Sequence, residues 1–404
     1  MPLIETAHSS QLGALGIFAL VYGSAWLIAA ALQALPAVRA ATTPPGGRYG
    51  ALDGWRGVLA LGVMAHHATT EYVYYATGVW AWSANPLLNH LGQTTVALFF
   101  MITGFLFAEK CSAPSVNWRA LYISRLARLT PLYGLMVGLV ALIALWATGF
   151  GLRVPAWRLG LQVAQWLPFD ILGRPDINGL DKSWTIIAGV NWSLRCEWAF
   201  YLAGLPLIHW AARRLSRQAL LWGSLGALGL VAAWLGWHGP LPKALLYVAH
   251  FLCGISAAYV YETPRGRWLI SQRWFHGAAL ATLGLLALRL DSDNATALLV
   301  GWVVFLAAIG GLSLGGLLHT RAAIWLGDIS YGIYLLHGMG LWVAYRLLAG
   351  AGRLGLLNGP ALLGIVPGLV GLAVAAASLS YVVYERPLIA RGRAWARRAK
   401  GSAG

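Results

Sequence analysis

The segment ALDGWRGVLALGVMAHHATTEYVYY places Arg56 and His67 eleven positions apart in a mostly apolar stretch. At about 100° per residue, eleven steps return within roughly 20° of the starting face and climb about 16 Å along a helix axis. A guanidinium and an imidazole so placed suit a ligand held by its phosphate at one end and met by a base at the other. An interfacial anchor and a helix–helix hydrogen bond account for the pair equally well. His66 is rotated by about 80° from that face and is expected to stand outside a cavity shared by the other two.

Other polar residues interrupt apolar runs in the same way. SRLARLTPLY carries Arg125 and Arg128 at i,i+3, hence on one helical face. Such a pair grips phosphate oxygens well, and it equally anchors the end of a span. NWSLRCEWAFYL sets Glu197 behind Ser193, with Arg195 as a candidate neutralising neighbour. FFMITGF offers the Thr103 hydroxyl beside Gly104, where helix packing is the simpler reading. ISYGIYLLHG contributes Ser330, Tyr331 and His337. YVVYERPLI ends in Glu385 and Arg386, most simply a local salt bridge, before Pro387. Ionisable groups inside membrane spans are expensive, so each is a functional candidate.

The elements that must position these groups follow from composition. Of 404 residues, 59% are hydrophobic and only 10% charged, with mean hydropathy +0.65. Soluble chains carry about a quarter charged residues, so an ordinary cytosolic or disordered protein is excluded. The expected fold is all-α, a polytopic integral membrane protein. The net charge of +16 then reports orientation and headgroup contact, not nucleic acid. Cys111, Cys196 and Cys253 lie far apart, so buried apolar roles are expected, with no disulfide framework and no metal.

Apolar runs near the ~20 residues needed to cross a bilayer fall at 11–35, 51–77, 88–109, 119–149, 189–214, 217–236, 240–262, 272–290, 294–319, 321–349 and 360–390. These are about eleven transmembrane helices, the first a retained span. A shorter segment at 156–168 is expected to lie at the interface or re-enter, leading into a polar loop at 169–188. With the basic tail inside, most of the 29 Lys and Arg fall inside, among them Arg39, Arg48, Arg56, Arg125 and Arg128. The N-terminus is then outside and the C-terminus cytoplasmic. The expected organisation is residues 1–50 as an added N-terminal helix with its linker, 51–390 as the main transmembrane domain and 391–404 as a basic tail.

In this order the polar stretches resemble the acyltransferase family 3 membrane proteins, which O-acetylate bacterial carbohydrates. LDGWRG, with Asp53, and the Arg56-x10-His67 spacing resemble the first family signature. FFMITGF is similar to FFxxSGF, RLARLTPLY to RxxR-x2-P-x-Y, and WSLRCEWAFYL to W-S-L-x-x-E-x-x-F-Y-L, with ISYGIYLLH and E-R-P completing the series. Each is weak alone; together they cover about residues 51–390. Thr103 replaces the usual serine, and Arg195 stands where a small or apolar residue is usual. The first span adds to a ten-helix core, and the chain resembles the stand-alone type without an esterase-like domain.

The resemblance implies a bacterial plasma-membrane enzyme with acyl-CoA, most often acetyl-CoA, as cytoplasmic donor. A hydroxyl of an extracytoplasmic carbohydrate or glycoconjugate is the implied acceptor. His67 would be the base, Arg56, Arg125 and Arg128 donor contacts, Thr103 an oxyanion donor and Glu197 a group orienting His67 or the sugar. Ternary-complex and acyl-enzyme routes both remain open. Trp157, Trp166 and Trp184 of the 150–188 region would stack on the acceptor or anchor the interface. The rival classes are a transporter or flippase without bond chemistry and a membrane scaffold.

Overall fold

The computed structural model describes residues 11–44, 49–83, 85–289, 295–353 and 359–401. Arg48 and the outermost parts of the expected N-terminal and tail segments, 1–10 and 402–404, lie outside the described residues. Among the described residues all regular structure is helical. The long elements are α1 (Gln11–Leu32), α2 (Gly50–Thr77), α3 (Pro86–Cys111), α4 (Trp118–Ala147), α5 (Ala156–Trp166), α6 (Trp192–Ala199), α7 (Leu205–Arg214), α8 (Arg217–His238), α9 (Lys243–Glu262), α10 (Arg273–Arg289), α11 (Ala295–Ile309), α12 (Arg321–Asp328), α13 (Ser330–Gly350), α14 (Gly359–Ser380) and α15 (Arg386–Gly401). Wider π-helical turns, Phe200–Gly204 and Tyr381–Glu385, join α6 to α7 and α14 to α15.

Each expected span contains a helix, and the protein is an all-α membrane protein. Among the described residues six helices are long and apolar enough to cross a membrane: Gln11–Leu32, Pro86–Cys111, Trp118–Ala147, Arg217–His238, Lys243–Glu262 and Leu363–Arg397. Two expected spans are revised. The run at 294–319 is helical only to Ile309 before a loop, and the run at 321–349 breaks at Ile329 into α12 and α13.

Helix starts follow from local chemistry. The Asn85 side chain accepts from the Leu87 amide at 2.9 Å ahead of Pro86, and the Asn117 side chain accepts from the Ala120 amide at 2.9 Å. Each satisfies one of the orphan donors of a helix N-terminus. Helix α2 sits centrally against α1, α3, α12 and α13. The added helix α1 belongs to the same core: Ala14, Ile17, Val21, Ala25 and Ala29 form its buried stripe, and the Tyr22 hydroxyl donates to the Val58 carbonyl at 3.0 Å.

Glycines in the polar motifs allow backbones to touch, as small residues do in membrane helix pairs. A Cβ on Gly104 would strike the Phe251 carbonyl and one on Gly254 the Met101 carbonyl, which locks α3 to α9. Gly327 likewise lies against the Asp53 carbonyl, drawing α12 onto the start of α2.

The segment expected as a polar loop folds inward. Ser183–Ile187 is a short 3-10 helix whose Ser183, Thr185, Ile186 and Ile187 are buried. Trp342 of α13 donates to Thr185 Oγ1 at 3.1 Å. Asn178, fully buried, knots the base of this segment. Its Nδ2 donates to Thr148 Oγ1 at 2.7 Å and to the Gly151 carbonyl at 2.9 Å, while its Oδ1 accepts from the Arg153 amide at 2.9 Å. Its φ of 52° is one that asparagine tolerates better than most residues. Asn178→Ala is expected to cost about 2–4 kcal/mol, because several buried partners lose their bonds at once. Thermal unfolding in detergent would show this as a clear fall in midpoint; an unchanged midpoint would refute it.

Candidate active site

Two polar regions flank the middle of α2. One surrounds His67 and opens into a cavity of about 1070 Å³. Its walls include Trp80, Trp82, Trp184, Trp192 and Tyr247, with Asn89, Gln93, Thr94 and His250 among the polar groups. The His67 ring is half-buried there, 6.3 Å from Trp80 between ring centres. Trp80 in turn meets Trp184 edge-on at 5.1 Å. Of the three tryptophans considered for acceptor contact, Trp184 borders the cavity. Trp166 is fully buried and donates to the Pro175 carbonyl, and Trp157 is exposed.

His66 was expected elsewhere but lines the same cavity. Its ring lies 5.0 Å from that of His67, its Nδ1 is 3.0 Å from the Leu88 carbonyl, and Gly92 leaves room for it. The cavity is wide enough to span both faces of the helix, which rotation per residue alone does not reveal. His337 stands behind His67: His67 Nδ1 and His337 Nε2 are 3.0 Å apart, and His337 Nδ1 is 2.9 Å from the Ile333 carbonyl.

The second region gathers the arginines. Arg56, Arg125 and Arg128 all act electrostatically on Glu197, and Arg56 and Arg128 on each other. Glu197 Oε2 accepts from the Tyr201 hydroxyl at 2.9 Å. The Arg125 guanidinium lies 5.1 Å from the Phe107 ring centre, with its Nε buried and unbonded. Arg128 lies 6.0 Å from the Tyr331 ring centre, and the Tyr331 hydroxyl donates to the Leu129 carbonyl at 2.9 Å. Arg56 approaches Asp53 at 3.9 Å, both partly exposed. Three guanidiniums within electrostatic reach of one carboxylate leave an excess of positive charge, the setting that receives a polyanion.

Two local pairings expected from adjacency are absent. Arg195 turns to Asp170, 3.6 Å away, instead of to Glu197. Two helical steps separate those side chains by about 200°, so they point to opposite sides of α6. Glu385 and Arg386 also part. Glu385 is buried and accepts from the Ser380 hydroxyl at 3.2 Å, while Arg386 donates to the Ala40 carbonyl at 3.0 Å. The π-helical turn at Tyr381–Glu385 directs the carboxylate toward Arg128.

Between the two regions lie Ser193 and Tyr334. Their hydroxyl oxygens are 2.7 Å apart and both reach the Val190 carbonyl, at 3.1 and 3.0 Å. The cavity reaches Tyr334 and Val190 but none of Arg56, Arg125, Arg128 or Glu197. Thr103 is half-buried on α3, one turn beyond the cavity residue Phe100. Glu71 was not singled out from the sequence. It is fully buried four residues beyond His67, and both of its carboxylate oxygens are without hydrogen bonds. Its position in a span should have marked it by the same cost argument as the other charges.

Comparison with known proteins identifies the family. A family model described as an acyltransferase domain matches residues 49–385. "Acyltransferase MdmB" of Streptomyces mycarofaciens is 26% identical over 379 residues, covering 84% of this chain and 91% of that protein. "Exopolysaccharide production protein ExoZ" of Rhizobium meliloti (strain 1021) is 30% identical over 319 residues, covering 75% of this chain and 92% of that protein. No solved structure matches significantly. The chain belongs to acyltransferase family 3, as a membrane acyltransferase on an all-helical frame.

Proposed function

We propose that this protein moves an acyl group, in the first instance acetyl, from cytoplasmic acyl-CoA to a hydroxyl of an extracytoplasmic carbohydrate or glycoconjugate. The observation that carries the reading is the position of His67. It borders a large aromatic and amide-lined cavity, and it shares a helix with Arg56, a member of the arginine cluster, about 16 Å away along the axis. Phosphates of CoA bind at the arginines, and the pantetheine arm spans the remaining distance to His67. Tryptophans and side-chain amides in the cavity suit a sugar, and the printed name of the exopolysaccharide relative points the same way. The enzyme sits in the bacterial plasma membrane with its N-terminus outside and its C-terminus cytoplasmic. No metal is assigned a role.

In this reading His67 accepts the proton of the acceptor hydroxyl as its oxygen attacks the thioester carbonyl. The C–S bond breaks, and the proton passes to the departing thiolate to give free CoA. Thr103 stands as donor to the developing oxyanion. Asp53, Tyr331 and Glu385 hold the arginines in place, Glu197 buffers their charge, and Ser193 with Tyr334 frames the passage between donor and acceptor.

The test is thiol release from acetyl-CoA by purified protein, with and without a panel of glycans. Acceptor-dependent release is expected. Absence of both release and CoA binding would overturn the reading in favour of transport without bond chemistry. Trp184→Ala is expected to raise the acceptor KM about 10–100-fold, from the roughly 1.5–3 kcal/mol of a large buried apolar surface. Equal KM values in wild type and variant would remove Trp184 from the acceptor site.

A further inference from the structure

A base can work only if its lone pair faces the substrate, and an imidazole has two nitrogens of which the neutral form protonates one. The hydrogen bonds behind His67 decide which. The Ile333 carbonyl has no proton to give, so His337 Nδ1, 2.9 Å from it, must be the donor. Neutral His337 then has a bare Nε2. That nitrogen lies 3.0 Å from His67 Nδ1, which must therefore carry the proton in this contact. The remaining nitrogen of His67, Nε2, lies on the ring edge away from His337. His67 lines the cavity and His337, only 1% exposed, does not.

We propose that His337 is a positioning residue that fixes His67 with its proton on Nδ1, so that Nε2 presents its lone pair to the acceptor hydroxyl. The inference rests on the reading of His67 as base and deepens it. A neutral histidine here takes the place that a carboxylate holds in serine hydrolase triads, where the wrong tautomer costs about 10⁴ in kcat. It anchors the ring through a backbone carbonyl and brings no full negative charge into the bilayer. When His67 takes up the acceptor's proton, both of its nitrogens become donors. The Nδ1–H bond to His337 is then kept and strengthened by charge. The Nε2 proton then leaves on the CoA thiolate, and both histidines return to their starting forms.

The same geometry separates two substitutions. His337→Leu keeps much of the volume and removes the acceptor for the Nδ1 proton. His337→Gln can place its amide oxygen near the position of Nε2 and accept that proton again. His337→Leu is expected to lower kcat about 10²–10³-fold with the acetyl-CoA KM little changed, and His337→Gln to recover at least a tenfold part of the loss. Nitrogen NMR of histidine-labelled protein in lipid bilayers gives a readout independent of activity. The His67 signals are assigned by their disappearance in His67→Gln. Wild type and His337→Gln should show His67 protonated on Nδ1, and His337→Leu should show a shift toward Nε2, the form that dominates in free histidine.

His67 protonated on Nε2 in the wild type would overturn the proposal. So would His337→Gln as inactive as His337→Leu with His67 still protonated on Nδ1, which leaves the contact as packing. Should His337→Leu fail to fold, the wild-type and His337→Gln spectra decide the matter. If His67→Ala keeps full activity, the base assignment falls, and the spectra alone judge the tautomer.

Discussion

Replacing His67 by alanine is expected to lower acceptor-dependent CoA release about 10²–10⁴-fold, the range that a positioned general base supplies. The acetyl-CoA dissociation constant should stay within a few-fold of wild type, because Arg56 lies about 16 Å away along α2 and Arg125 and Arg128 stand on α4, outside the cavity that His67 lines. The loss belongs in kcat. Single-turnover release, with saturating donor and a competent glycan, measures it directly. Retained turnover would remove His67 from the chemistry, whatever the cavity binds.

The second large effect concerns the donor. Arg125→Ala and Arg128→Ala are each expected to raise the acetyl-CoA KM about 10–100-fold, since a hydrogen bond to a charged group contributes roughly 1.5–3 kcal/mol. The kcat at saturating donor should change much less. Lysine at either position should restore only part of the affinity, because an ammonium cannot grip two oxygens in a plane. Arg128 carries an added consequence. It acts electrostatically on buried Glu385, so Arg128→Ala should also lower thermal stability, whereas Arg125→Ala should not. Titration of each variant with CoA, read by calorimetry, checks the donor part, and equal dissociation constants for all proteins would refute it.

Much of this was legible in the sequence, and the reasons are physical. Apolar run length marks a span because the bilayer imposes it, and every expected span contains a helix. Eleven residues return Arg56 and His67 to one helical face and three do so for Arg125 and Arg128, but the cavity takes in His67 with His66 and leaves Arg56 out. Periodicity is local, however, and the partners of these groups are not. His337 is 270 residues from His67 in the chain yet shares a hydrogen bond with it. Nothing in either segment specifies that meeting. The error over Arg195 and Glu197 has the same root: adjacency in sequence was read as adjacency in space, where helix geometry sets the two on opposite sides. For Glu385 and Arg386 it is the packing of the π-helical turn Tyr381–Glu385 and of α15 against α4, with the short helix Pro36–Ala41 alongside, that separates them. The inward course of 169–188 was hidden by its composition. Its polar residues satisfy one another, with Asn178 and Ser183 bonding to backbone groups of the same segment and its neighbours.

The cluster of Ser193, Tyr334 and the Val190 carbonyl has a consequence beyond the transfer itself. If, as proposed, the cavity opens to one side of the membrane and the arginines to the other, the insulating layer is thinned to whatever stands between them. Two hydroxyls and one carbonyl that bond to each other stand in that layer. In the reading proposed above, they must part to admit a thin pantetheine arm and close behind it, or the membrane would short-circuit its own proton gradient at each turnover. The structure has these contacts made, so in that same reading the seal across the protein depends on the bonds among three oxygens.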